Sequence, residues 1–232
     1  MMPPLLTLTI VLLAAIGPTP PQPEAAAQAA YEPGPDDVVQ VGDWPAIGKW
    51  MIDRHMRPAE WLGARVQGKG MREPINVVLV DPAARSADEA LARVRQACRA
   101  AGYRSREGHS GGYRGYLGGV LFSQQPATAG HAFSNEPFEF HNKHGRIFGP
   151  FPLKEGWIFI AALSRERFDP FTKTEHVFVS FNQARDDFAR KLEGATGFAI
   201  AGHVELGNAL AENPSLTTGD HAGRAVVLKA RR

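Results

Sequence analysis

Apolar residues recur along this chain in two periods, and each period predicts a different element. "PINVVLV" (residues 74–80) is a near-continuous β-branched run. It predicts a strand buried on both faces, ending at Asp81-Pro82. In "ADEALARVRQACRAAG", Leu91, Val94, Cys98 and Ala101 recur at helical spacing. They predict a helix capped by Ser86 or Asp88 and stopped by Gly102. Strand, loop and helix make one α/β unit. "GWIFIAALSRE" (156–166) is apolar on both faces and predicts a central strand; "EHVFVSF" (175–181) predicts another. "NQARDDFARKLEG" predicts a helix with Asn182 as cap, Ala184, Phe188 and Leu192 on the core side, and Gly194 as stop. "GFAIAGHVEL" and "RAVVLKA" predict closing strands.

The remaining segments are less regular. "DWPAIGKWMIDRHM" predicts a short helix, with Asp43 as cap, Pro45 in its first turn, and Ile47, Trp50, Met51 and Arg54 along one side. The many glycines of "GHSGGYRGYLGGVLF" predict an irregular loop entering a strand near Tyr116 to Phe122. "FEFHNKHGRIF" predicts a strand with a break. Together these segments predict an α/β fold: a single domain with a mixed, mostly antiparallel sheet and about three helices packed on it.

The amino terminus changes the picture. Leu5 to Ile16 is apolar for about 12 residues, the length of a signal-peptide core and short of the ~20 needed to span a bilayer. Ala27-Gln28-Ala29 fits the small-x-small cleavage pattern. The expected organisation is a signal peptide over 1–29, a Pro- and Asp-rich linker over 30–43, and one domain over 44–232. The expected location is periplasmic or secreted, with no transmembrane helix in the mature chain. An uncleaved anchor is the other reading, because no basic residue precedes the apolar run.

Charge and cysteine content narrow the function classes. The 26 Lys and Arg against 24 Asp and Glu give a formal net charge of +2. Scattered over 232 residues, that is too mild for a nucleic-acid partner. Cys98 is the single cysteine, so no intrachain disulfide forms, and its helical apolar face predicts a buried, inert thiol.

The order of several short motifs resembles the LssY-like C-terminal domain family over most of residues 44–193. The matching positions are Pro74 and Asn76 on the first strand, then a helix ending "AAGY", then His144 and Arg146. Trp157, His176, and Arg185 with Asp186 follow. Asn182 stands where the family pattern has an acidic residue. The resemblance implies a cell-envelope setting and no particular reaction.

Candidate chemistry centres on "HNKHGRIFGP" (141–150). Side chains two apart on a strand share a face, so His144 and Arg146 project together while His141 points away. If the strand of His176 lies alongside, His144, Arg146 and His176 converge, with Arg185 and Asp186 arriving from the next helix. Imidazole moves protons near neutrality, and Arg grips an anion with two prongs. The candidate catalytic residues are therefore His144 and His176, and the candidate ligand-binding residues Arg146, Arg185, Asp186 and Asn182. A structural polar network is the competing reading. "GHSGG" (108–112) matches G-x-S-x-G formally, but no strand precedes Ser110 and no helix follows it, so it reads as a turn. No metal or cofactor is expected, since no spaced ligand motif is present. Phe168 and Phe171 lie in a Pro- and charge-containing loop, where an exposed ring would touch lipid or glycan. Two functions follow. One is an accessory module that binds an anionic envelope lipid or glycan, or a membrane protein partner. The other is a hydrolase acting on an envelope phosphate or ester.

Overall fold

A computed structural model describes residues 31–171 and 176–231. In chain order the strands are β1 (Val38–Val39), β2 (Ile47–Ile52), β3 (Glu60–Val66), β4 (Lys69–Arg72) and β5 (Val77–Asp81). Helix α1 (Ala87–Ala100) is followed by β6 (Arg104–Arg106), β7 (Arg114–Leu117), β8 (Val120–Ser123), β9 (Ala132–Ser134), β10 (Asn142–Pro152), β11 (Trp157–Phe168) and β12 (His176–Ser180). Helix α2 (Phe181–Ala195) precedes β13 (Phe198–Glu205), β14 (Leu216–Thr217) and β15 (Arg224–Ala230). The segment 1–29, expected to be a signal peptide, lies outside the described residues.

The fold is mostly β, with three sheets and two α-helices among the described residues, and this corrects the expected α/β sheet with about three helices. The missing helix is β2. Ile47 and Met51 enter one apolar cluster while Trp50 and Ile52 enter another, so the segment is buried on both sides. Two-sided burial of alternating residues is strand geometry, and it outweighs the helical spacing of Ile47, Trp50 and Met51. The glycine-rich stretch is likewise a hairpin, β7 to β8, turned by Gly118 and Gly119 at φ 62° and 85°. Val38 and Val39, in the segment read as a linker, pair with Gly48 and Ile47.

The principal sheet has eight strands in the order β13-β15-β5-β11-β10-β9-β6, with β12 paired to β11. Both helices pack on one face of it. There Val94 and Cys98 of α1 and Phe188 and Leu192 of α2 meet Leu79, Phe159 and Leu163. Fully burying a Phe or Leu stabilises by about 1.5–3 kcal/mol. Ser86 caps α1, its Oγ accepting from Glu89 N at 3.1 Å. For α2 the cap is Ser180, accepting from Gln183 N at 2.8 Å, and Asn182 lies inside the first turn. Gly194 is also inside α2 rather than its stop. The opposite face carries the four-stranded sheet β1-β2-β7-β8, through a cluster of Ile47, Met51, Leu117, Phe148 and Ile160.

β11 serves two neighbours in turn. Trp157 to Ala161 pair with β5, and Arg165 to Phe168 pair with β12. Between them Leu163 has no strand partner on that side. The Asn76 side chain takes the place of one: Nδ2 donates to Leu163 O at 2.8 Å and Oδ1 accepts from Leu163 N at 3.0 Å. This is the structural use of the buried asparagine in "PINVVLV".

Candidate functional site

The site begins as a change in side-chain polarity along one face. On β11 the residues facing away from the helices run Ile158, Ile160, Ala162, Ser164, Glu166. On β10 the matching run is Phe148, Arg146, His144, Asn142. The register sets Phe148 opposite Ile160, Arg146 opposite Ala162, His144 opposite Ser164 and Asn142 opposite Glu166. Cross-strand pairs of this kind bring side chains into direct reach. The first residues of each run lie under the small sheet. The last ones lie beyond its edge, where loops cover them instead.

Glu166 is the hub. Its Oε1 accepts from Asn142 Nδ2 at 2.9 Å and lies 3.4 Å from His144 Nδ1 and 3.0 Å from His176 Nδ1. Asn142 also accepts from His144 Nδ1 at 2.9 Å through Oδ1. Because its Nδ2 donates to Glu166 and to Phe140 O, the amide orientation is determined, and His144 carries its proton on Nδ1. The lone pair is left on Nε2, 3.4 Å from Ser164 Oγ.

The cover comes from loops. His109 stacks on His144 with ring centroids 4.6 Å apart, and Phe138 stacks on His176 at 4.1 Å. The His109 loop is anchored by His109 N donating to Gly130 O at 2.9 Å. Its close approach requires glycine at 108: φ is 89°, and a Cβ would fall 2.7 Å from Phe138 Cβ. Arg146 Nη2 donates to Ser110 O at 2.7 Å, and its guanidinium lies 4.7 Å from the centroid of the Tyr113 ring.

These residues enclose a chamber of about 180 Å³, lined by Trp61, Glu73, His109, Phe138, His144, Arg146 and Glu166 among others. Beside it runs an open groove of about 790 Å³ with Arg54, Arg57 and Arg72 in its wall, and Ser110 lines both. His109 Nε2 and Arg146 Nε are buried without a hydrogen-bond partner, on residues only 7% and 3% exposed. Unsatisfied buried polar atoms in a native chamber call for a partner from outside.

Burial decides the proton chemistry. Desolvation, then the positive charge of Arg146, pushes His109 down to about 3. Desolvation also holds His144 well below its ordinary value, helped by His109, Arg146 and His176. Both rings are neutral at physiological pH. The carboxyls move the other way: desolvation raises Glu73 and Glu166 to about 7 each, against the pull of Arg146 and, for Glu166, the Asn142 hydrogen bond. The groups poised to exchange protons near neutrality are thus the two glutamates, and His144 is a lone-pair donor.

The strands of His144 and His176 are not neighbours, since β10 and β12 each pair with β11, and it is Glu166 of β11 that lies beside both imidazoles, with Arg146 on the same face as His144. Arg185, Asp186 and Asn182 do not line the chamber. Arg185 Nε bonds Asp186 Oδ1 at 2.7 Å and its Nη1 bonds Arg224 O at 3.1 Å. Asn182 donates to Asp220 O. Ser110 is not a nucleophile elbow: it sits in a loop between β6 and β7, with Oγ bonded to Tyr113 OH at 2.9 Å. Cys98 is buried, with burial pushing its thiol well up. His141 accepts from Phe168 N at 3.1 Å, outside the cluster. Phe171 is 97% exposed.

Sequence reasoning missed His109, Glu73, Glu166 and Asn142. Glu166 and Asn142 had a readable signal, the switch from apolar to polar at every second residue in "WIFIAALSRERF" and "NKHGRIF". His109 had none, since only the loop's return over β10 brings it to His144. No protein-family model, no curated protein and no solved structure matches the chain.

Proposed function

We propose that this protein is an exported cell-envelope hydrolase that binds an anionic phosphate or carboxylate ester at the chamber beneath the His109 loop. The observation that carries the reading is the convergence of His109, His144, Glu166 and Arg146 on one buried chamber that holds unsatisfied nitrogens, with His176 lying 3.0 Å from Glu166 Oε1. A chamber of about 180 Å³ is below the usual ~300–1,000 Å³ of pockets for whole small molecules. It suits the anionic head of a substrate, with the rest in the arginine-walled groove. Arg146, with Nε unpartnered, is placed to hold the anion. Glu73 is poised near 7 to take a proton from water. The water oxygen then bonds to phosphorus or to the acyl carbon, the ester bond to the alcohol oxygen breaks, and the alcohol leaves with a proton. The envelope setting rests on the signal-peptide pattern and on the resemblance to LssY-like C-terminal domains, and it makes a lipid or glycan the expected source of the anion.

The test is turnover of p-nitrophenyl phosphate and p-nitrophenyl acetate, beside calorimetric binding of inorganic phosphate. Cleavage that disappears in Glu73→Gln supports the hydrolase. Phosphate binding without cleavage of either ester supports the accessory binding module instead. Neither binding nor cleavage removes the chamber from the function of the protein.

A further inference from the structure

We infer that the chamber holds a divalent transition-metal ion of the zinc class on His109, His144 and Glu166, the inference resting on the reading of this chamber as the functional site. The donor atoms of these three residues lie within 4.8 Å of one another, and all three side chains are buried. Ligands bonded tetrahedrally at about 2.1 Å stand about 3.4 Å apart, so small side-chain rotations close the set around an ion. Two nitrogens and one carboxylate oxygen leave a fourth position toward the chamber, the pattern of catalytic rather than structural zinc.

Three independent features favour a cation here. First, His109 Nε2 is buried with no hydrogen-bond partner, and a metal gives it one. Second, Asn142 Oδ1 accepts from His144 Nδ1, which fixes the tautomer of His144 and leaves its Nε2 lone pair for a metal. Third, the surroundings already have the form of an outer ligand shell. Asn142 bonds both His144 and Glu166, Ser164 lies beside His144, and His176 lies 3.0 Å from Glu166 Oε1. Such partners orient ligands and tune affinity. Phe138 and Trp61 line the chamber beside the polar groups.

The lining agrees: two carboxyl groups, Glu73 and Glu166, stand beside Arg146 in the chamber, and a divalent ion there would add positive charge for an anionic substrate to offset. The open position would place a water beside that anion, and metal binding lowers the pKa of such water toward neutrality.

The experiment measures metal content of the purified full chain, then strips it with chelator and titrates with Zn²⁺ and Co²⁺ by calorimetry and visible absorption. The expected result is one ion per chain and a cobalt spectrum of tetrahedral nitrogen and oxygen ligands. His109→Ala should weaken Zn²⁺ binding by at least about 100-fold while its circular dichroism in chelator matches wild type. Asn142→Ala, which removes a positioning residue, should weaken it about 10–100-fold with the spectrum retained. His141→Ala should change nothing. Absence of binding at micromolar ion, or binding unaltered in His109→Ala, overturns the inference; should His109→Ala fail to fold, the wild-type cobalt spectrum decides. The two readings fail separately. Ester cleavage by stripped protein that takes up no ion on titration overturns the metal and leaves the hydrolase. A bound ion with tetrahedral spectrum and no cleavage supports the metal and removes the hydrolase.

Discussion

Arg146 and Glu73 carry the sharpest expectations at the scale of single residues. Lysine in place of Arg146 keeps a charge but loses the planar fork. Arg146→Lys should lower kcat/KM for the anionic ester about 100-fold, about 2.7 kcal/mol of transition-state stabilisation. An unchanged kcat/KM would show that Arg146 does not hold the anion. Glu73 predicts a pH dependence of stability. Its pKa is raised from 4.5 to about 7 by burial, against Arg146 and with Glu166 also facing the chamber. Between those values the native state keeps a proton that the unfolded state has lost, so stability falls as pH rises from about 4.5 through about 7. The loss is on the order of 3 kcal/mol. Gln mimics the protonated acid, so Glu73→Gln should melt like wild type at pH 4.5 and above it at pH 8. Equal melting temperatures at both pH values would contradict the buried, proton-retaining Glu73. The neutral histidines act in the opposite direction, destabilising as pH falls below about 6.5, and both proteins share that effect.

At the scale of elements, the site depends on how β11 and the 107–112 loop are held. Asn76→Ala would leave the N–H and C=O of Leu163 unpaired in the interior. Each orphaned group costs about 1–3 kcal/mol, so urea unfolding should show a loss of roughly 2–5 kcal/mol. A loss below about 1 kcal/mol would mean that the Asn76 clamp contributes little. Gly108→Ala combines a left-handed backbone at φ 89° with a Cβ pressed against Phe138. Its expected effect is displacement of the ring from His176, read as a loss of turnover greater than the loss of thermal stability. These elements were unevenly legible. β5, α1, β11 and α2 announced themselves through long runs with one period. β2 did not, because its spacing satisfied a helix as well as a two-sided strand. The cap of α2 was misplaced by two residues because Asn182 and Ser180 are both good caps. The choice fell to Ser180 where Asp220 O engages Asn182 and Asp220 Oδ1 accepts from Phe181 N at 2.8 Å.

Across the whole molecule, the principal sheet separates two environments. Its helix face is apolar at the centre, with ion pairs and hydrogen bonds to the helices only at the margins, where Lys143 meets Asp187, Arg165 meets Gln183 and Asp81 meets Arg93, and its other face is apolar only as far as the small sheet reaches. The chamber occupies the remainder, closed by loops from distant parts of the chain. Export belongs to this scale too: the protein isolated from cells should begin at Ala30 by mass spectrometry and partition with the envelope or medium, and a cytoplasmic protein with an intact amino terminus would refute the signal-peptide reading.

The sequence by itself determined the strong strands and helices, the burial of Cys98, and the shared strand face of His144 and Arg146, because these follow from local periodicity of 2 and 3.6 residues. Tertiary structure alone decided that Glu166 lies between His144 and His176, that His109 stacks over them, and that Arg185 and Asp186 are satisfied elsewhere. Those contacts join residues up to tens of positions apart through strand register and loop closure. Burial, which no local pattern measures, then assigned neutral imidazoles and proton-exchanging carboxyls to their roles.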